Sequence, residues 1–147
     1  MTWIYQNTII DTLPEDCVGF VYCIVNSTNN RKYIGKKLSM FSKTKYKMVT
    51  LKSGIKKRKK IKSKVDSDWM EYYGSSLELS ADVKCLGVGS FTREILHLCK
   101  SKAECSYLEA MEQFSRRVLE SEDYYNNQIS VRVHGSHIRG KLCRNQT

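Results

Sequence analysis

Two tyrosines, Tyr22 and Tyr33, stand eleven residues apart across a run of turn formers, Asn26-Ser27-Thr28-Asn29-Asn30. Residues 18–25, before the turn, are almost wholly apolar or aromatic and rich in β-branched types, which predicts a strand buried on both faces. Lys32-Tyr33-Ile34 resumes a strand that stops at Gly35, so the pattern is a hairpin. With Val25 paired to Asn30 across a four-residue loop, Tyr22 falls opposite Tyr33, and opposed residues have β-carbons about 4.5–5.5 Å apart. Lys36 and Lys37 follow at once, near enough to the tyrosines to bind a phosphate. A cationic field favours phenolate and lowers a phenol's pKa, so one tyrosine becomes a candidate general base for water and the other a positioning group. Geometry alone leaves a plainer account open, an aromatic pair that only packs.

The elements that must position these phenols lie on either side of a basic stretch. Thirteen of the chain's 25 basic residues fall in residues 36–64, with no acid among them, and the run peaks at Lys56-Lys57-Arg58-Lys59-Lys60. Such a run repels itself, and the expectation is a mobile or partly helical arm. Asp66 and Ser67 are candidate caps for a short helix over residues 68–73 closed by Gly74, with Trp69 and Tyr73 packing and Tyr72 near the site. A second helical piece runs from about Leu77 to near Gly87, and residues 90–98 are strand-like. Ser101-Lys102-Ala103-Glu104 fits a capping box that opens a helix to about Leu119, with Cys105, Leu108, Met111, Ser115, Val118 and Leu119 on its inner face. A basic tail closes the chain over about residues 131–147. No linker or repeat divides the sequence, so residues 1–147 read as a single domain.

The formal charge of +10 on 147 residues, with 41% hydrophobic and 27% charged content, predicts a polyanionic partner, with nucleic acid ahead of an acidic membrane. No stretch approaches the roughly 18 apolar residues of a membrane span, and residues 1–20 lack the pattern of a secretory signal. An intracellular, cytoplasmic setting is therefore expected, in which the six cysteines are free buried thiols. His97, Cys99 and Cys105 lack the paired spacing of a structural zinc site.

Gly19-Phe20-Val21-Tyr22 followed by Tyr33-Ile34-Gly35-Lys36 resembles the two motifs of the GIY-YIG nuclease family, including its small phage-borne and homing-type members. The second motif is intact and the first is degenerate, Phe20-Val21-Tyr22 standing for Gly-Ile-Tyr. The likeness covers about residues 18–127, through Leu108-Glu109-Ala110 and the Tyr-Tyr-Asn ending at Asn126. It implies an α/β (α+β) fold, a small three-stranded antiparallel sheet flanked by helices, with the basic arm inserted after the first hairpin. It also implies a DNA endonuclease using one divalent cation, Mg²⁺ or Mn²⁺, that acts in the host cytoplasm if phage-encoded and as a nicking monomer or a transient homodimer on DNA.

By that resemblance Tyr22 activates the attacking water and Tyr33 supports it. Glu109 binds the metal, with Glu112 in reserve, and Asn126 holds the glutamate or a phosphate. Counting to the family's arginine gives Lys43, and lysine cannot fork two phosphate oxygens, so Arg58 or Lys36 is the expected substitute. Lys37, Lys43, Lys45, Lys56, Lys57, Lys59 and Lys60 are expected on the nucleic-acid backbone, where such contacts hold a duplex without reading its sequence. Two rivals stay open: a catalytically inactive nucleic-acid-binding module, and an RNA-cleaving relative.

Overall fold

The computed structural model describes residues 2–142. Cys143 and the rest of the expected tail beyond Leu142 lie outside the described residues. The chain first makes a tight hairpin, β1 (Trp3–Tyr5) and β2 (Thr8–Ile10), turned by Gln6 and Asn7 with φ of 49° and 64°. Positive φ at both central residues is what a two-residue turn needs to match strand twist. Next come β3 (Gly19–Asn26) and β4 (Lys32–Leu38). Two eleven-residue strands follow, β5 (Met40–Thr50) and β6 (Lys56–Asp66). After them stand α1 (Leu77–Leu86), β7 (Phe91–Cys99) and α2 (Lys102–Ser115).

The main sheet has five strands in the order β2-β1-β7-β3-β4. The expected antiparallel trio is its β7-β3-β4 part, and the expectation of three strands is corrected by the N-terminal hairpin, which adds β1 parallel to β7. Burying Trp3 completely, with its indole N–H donated to the Trp69 carbonyl at 2.8 Å, ties that hairpin down. β3 lies between β7 and β4, and all its residues but Val25 are buried. Its alternate side chains feed two cores. Phe20, Tyr22 and Ile24 pack with Trp3, Leu79 and Phe91 on one face. Val21 and Cys23 pack with Ile34, Cys105, Leu108 and Val118 beneath α2 on the other.

The hairpin register differs from the expected one by two. Val25 pairs with Lys32, so Tyr22 opposes Gly35, and Tyr33 opposes Ile24. Because side chains alternate with a period of two, the shift keeps both tyrosines on one face as diagonal neighbours, with ring centroids 6.1 Å apart. β4 also runs past Gly35 to Leu38.

The basic arm is neither mobile coil nor helix. β5 and β6 pair without interruption from Met40↔Asp66 to Thr50↔Lys56 as a separate two-stranded ribbon. Its tip is closed by a turn in which Gly54, at φ +80°, donates its N–H to the Leu51 carbonyl. Like charges repel, but backbone pairing and β-favouring residues such as Tyr46, Val49 and Ile61 outweigh that repulsion here. Two smaller corrections follow. Residues 69–71 form only a 3-10 turn, with no side-chain cap from Asp68. α2 ends at Ser115, four residues short of the expected Leu119, and Met111 and Leu119 are exposed. Ser101 caps α2 as expected, accepting from the Glu104 N–H.

Candidate active site

β4 is an edge strand, and its edge is finished by the chain leaving α2. The Lys32 N–H donates to the Asp123 carbonyl, and the Tyr125 N–H donates to the Lys32 carbonyl at 2.7 Å. Asn126 then continues the ladder with its side chain. Its Oδ1 accepts from the Ile34 N–H at 3.0 Å and its Nδ2 donates to the Ile34 carbonyl at 2.8 Å. Both amide atoms thus hold the strand between Tyr33 and Gly35 rather than the glutamate. Gln113, one turn beyond Glu109, reaches the same carbonyl at 3.1 Å and Glu109 Oε1 at 3.3 Å.

These residues border one cleft of about 540 Å³, lined by Tyr33, Lys36, Ser75, Glu109, Gln113 and Asn126 among others. It straddles the β4 edge. Tyr33 comes from one face of the strand, whereas Lys36 comes from the face under α2. Tyr33 Oη and Ser75 Oγ are hydrogen-bonded at 2.8 Å. Lys36 Nζ donates to Ser106 Oγ at 2.7 Å and lies 3.4 Å from Glu109 Oε2. Lys36 is the one cation lining the cleft among the described residues. The Glu109 side chain is 17% exposed, and burial raises its pKa above the ordinary carboxylate value against the opposing pull of Lys36 and Gln113.

Glu112 has other partners. His97 Nε2 and Arg116 Nε each stand 2.8 Å from its carboxylate. The His97 hydrogen bond, followed by Arg116, holds its pKa down at about 2. It does not line the cleft, whereas Glu109 does, together with Glu78, which is more exposed and ion-paired to Arg31.

The phenols are not equivalent. Tyr22 is 1% exposed and does not line the cleft. Its ring crosses Gly35 so closely that a β-carbon there would meet Tyr22 Oη at 2.5 Å. That contact gives a physical reason for glycine in the second motif. The cationic field does not lower either pKa. Burial, then neighbouring Tyr72 and Tyr33, pushes Tyr22 well above the ordinary phenol value. Burial also raises Tyr33, although its bond to Ser75 opposes the shift. The expectation of a depressed phenol pKa is therefore corrected: desolvation exceeds the distant lysine field.

The arm residues stand apart from the cleft. Lys43, Lys45, Lys56, Lys57, Lys59 and Lys60 are exposed on the ribbon. Arg58 is there too, its guanidinium 3.8 Å over the Tyr46 ring, and it does not line the cleft. Lys37 is buried, ion-paired to Asp68 at 2.6 Å and lying 3.9 Å over the Tyr72 ring. It braces the ribbon root and is not presented to a ligand. Sequence reasoning missed Gln113, Ser75 and Ser106. Gln113 had a signal, since a residue four beyond Glu109 shares its helix face.

Among the described residues, Cys17, Cys23, Cys99 and Cys105 are free and buried as expected, while Cys85 is exposed. No group of three or more His, Cys, Asp or Glu residues gathers to hold a metal, and no helix is long and apolar enough to cross a membrane, among those same residues.

The family model described as "Putative endonuclease segE, GIY-YIG domain" matches residues 3–129. The chain belongs to this GIY-YIG family, whose general activity is that of an endonuclease. The match begins at the N-terminal hairpin that lay outside the motif resemblance. No curated protein and no solved structure matches the chain significantly.

Proposed function

We propose that the chain is a divalent-metal-dependent DNA endonuclease whose chemistry takes place in the β4-edge cleft. The observation that carries this reading is convergence. Tyr33, Lys36, Glu109 and Asn126, spread over 94 residues of sequence (33 to 126), border one cavity. The donor set fits a hard, hydrated dication: one half-buried carboxylate held by Gln113, with space beside it for water and phosphate oxygens. Glu109 would anchor the ion. When bound, such a cation supplies positive charge at the scissile phosphate and lowers the pKa of water.

The raised phenol pKa values leave both tyrosines neutral at rest, so Tyr33 orients water by hydrogen bonding, with Ser75 fixing its hydroxyl. This assigns water contact to Tyr33 and makes Tyr22 a packing support beneath it, the reverse of the roles the motif resemblance implies. Lys36, moving from Glu109 to a phosphate oxygen, neutralises the substrate. Asn126 is a positioning residue that keeps Tyr33 and Lys36 at fixed spacing. One cleft makes one cut, so the isolated chain should nick, with double-strand cleavage left to two copies on one site.

The Lys36–Glu109 contact also suits the rival, an inactive binding module in which the lysine takes the place of the metal. Supercoiled plasmid separates them. Conversion to open circles with Mg²⁺ or Mn²⁺, abolished by EDTA, is the expected result. Plasmid that is bound but stays intact with every divalent metal tried would favour the module.

A further inference from the structure

The ribbon has two different faces. Residues at even positions share one, and on it the rows contributed by the two strands differ in kind. The β6 row is cationic throughout, from Lys56 and Arg58 to Lys64. The β5 row opposite is Ser42, Thr44, Tyr46, Met48 and Thr50, without a charge. On the odd face the arrangement is inverted at the strand level: Lys43, Lys45 and Lys47 lie on β5, facing Ser63, Ile61 and Lys59 on β6. On the even face an uncharged β5 row therefore runs beside a cationic β6 row, while the β5 lysines project from the other face, together with Lys57 and Lys59 of β6. Every residue of both strands except Val49 and Val65 is exposed.

We propose that the even face of this ribbon enters the major groove of duplex DNA, and that Arg58, braced by Tyr46, reads a guanine there. The dimensions agree. Eleven residues at about 3.3 Å each span about 36 Å, close to one turn of B-DNA at about 34–36 Å. A two-stranded ribbon is an element that a groove about 12 Å wide admits. In that pose the β6 lysines face one phosphate wall, and the β5 lysines, rooted on the outer face, reach round the ribbon edge toward the other on their long side chains. The row of serine, threonine and methionine faces base edges, where hydroxyls meet donors or acceptors and apolar groups meet thymine methyls.

Arg58 is the single arginine among the thirteen basic residues of 36–64. It lies diagonally across from Tyr46, whose partner is Lys60, and its guanidinium rests on that ring at 3.8 Å. Stacking fixes the plane of the group and leaves its N–H edge to fork onto guanine O6 and N7. The ribbon root is anchored to hold such a pose. The Ser39 N–H donates to the Val18 carbonyl, Ser67 Oγ to the Leu38 carbonyl at 2.6 Å, and Lys37 pairs with Asp68. A-form RNA is excluded by the same geometry, because its major groove is too deep and narrow for side chains.

The inference rests on the duplex-DNA reading above, and its test is run without cleavage. The full chain in EDTA is used to select from a pool of random-sequence duplexes, and affinities for the enriched duplex and its single-base variants are read by fluorescence anisotropy. The expected result is one required guanine whose N7 methylation blocks binding. Arg58→Ala should then weaken binding to the enriched duplex about 5- to 150-fold and erase preference at that base. Tyr46→Ala should act in the same direction, less strongly. Lys47→Ala should weaken all duplexes alike and lower the log–log salt slope by about 1. Enrichment of no base, preference that survives Arg58→Ala, or equal affinity for an RNA duplex would overturn the inference. Failure of plasmid cleavage with base preference intact would instead count against the nuclease reading alone.

Discussion

The cleft and the ribbon are built by opposite means. Every side chain that matters in the cleft is fixed by contacts distant in sequence: Asn126 to Ile34, Gln113 to Ile34, Lys36 to Glu109. Beyond its anchored root the ribbon is held by a local ladder, with its side chains in water and thirteen cations in and around it. Chemistry needs a few groups fixed to within a fraction of an ångström, and only long-range packing supplies that. Holding a polyanion needs charge laid along a rail, and a local element supplies that cheaply. Each region therefore tolerates what the other cannot. The ribbon should withstand loss of any one lysine, whereas the cleft should not withstand loss of Glu109.

The largest effect that separates the two is salt. If the ribbon and its surroundings contact six to ten phosphates, DNA affinity falls roughly a thousandfold or more between 50 and 200 mM salt, while the single-turnover cleavage rate of saturated complex holds steady. A rate that falls in parallel at saturation would merge the two roles. Next come the phenols. Tyr33→Phe should slow cleavage of bound DNA by about a hundredfold, whereas Tyr22→Phe should cost mainly stability, about 1 kcal/mol, with most of the rate retained. The reverse ranking would return water contact to Tyr22.

Gly35→Ala presses a methyl against Tyr22 Oη and should destabilise the fold by about 1–3 kcal/mol. The fall in Tm should leave DNA affinity at low temperature almost unchanged. The smallest effect concerns pH. Glu109 has a raised pKa in the folded chain, so its ionisation opposes folding: the cost is absent below the unfolded pKa and grows as pH rises through the folded value. Glu109→Gln should therefore keep or raise Tm at pH 7. Mg²⁺ binding at low metal concentration should weaken on acidification from a pH above that of an ordinary glutamate, because proton and metal compete for the carboxylate. Glu112, held at about 2, should play no part in that weakening.

Much of the cleft was legible because its signals are local or periodic. Tyr22 and Tyr33 share a face in any register of the right parity, so an error of two residues kept the phenols on one face although they are diagonal rather than opposed. Glu109 was placed by motif order, and its helix by the Ser101 cap. What escaped depended on partners that a sequence does not display. Asn126 and Gln113 converge on Ile34 from different elements, and no spacing rule links them. The depth of Tyr22 depends on Trp3, Tyr33 and Tyr72 packing around it. The ribbon was missed for a different reason: its charge run outweighed the strand signals of Tyr46, Val49 and Ile61 and the Ser53-Gly54 turn. The N-terminal hairpin had its own cue, Gln6-Asn7 before Thr8-Ile9-Ile10, in a segment with no motif to draw attention.

The central claim is that Glu109 is a chemical residue of the cleft and the ribbon is the binding element. The most direct measurement compares natural chain and Glu109→Gln in Mg²⁺, reading DNA affinity and single-turnover nicking on the same preparation. The account predicts affinity within about twofold, an equal or higher Tm, and nicking reduced at least about a hundredfold. A well-folded Glu109→Gln that nicks at the natural rate would contradict it.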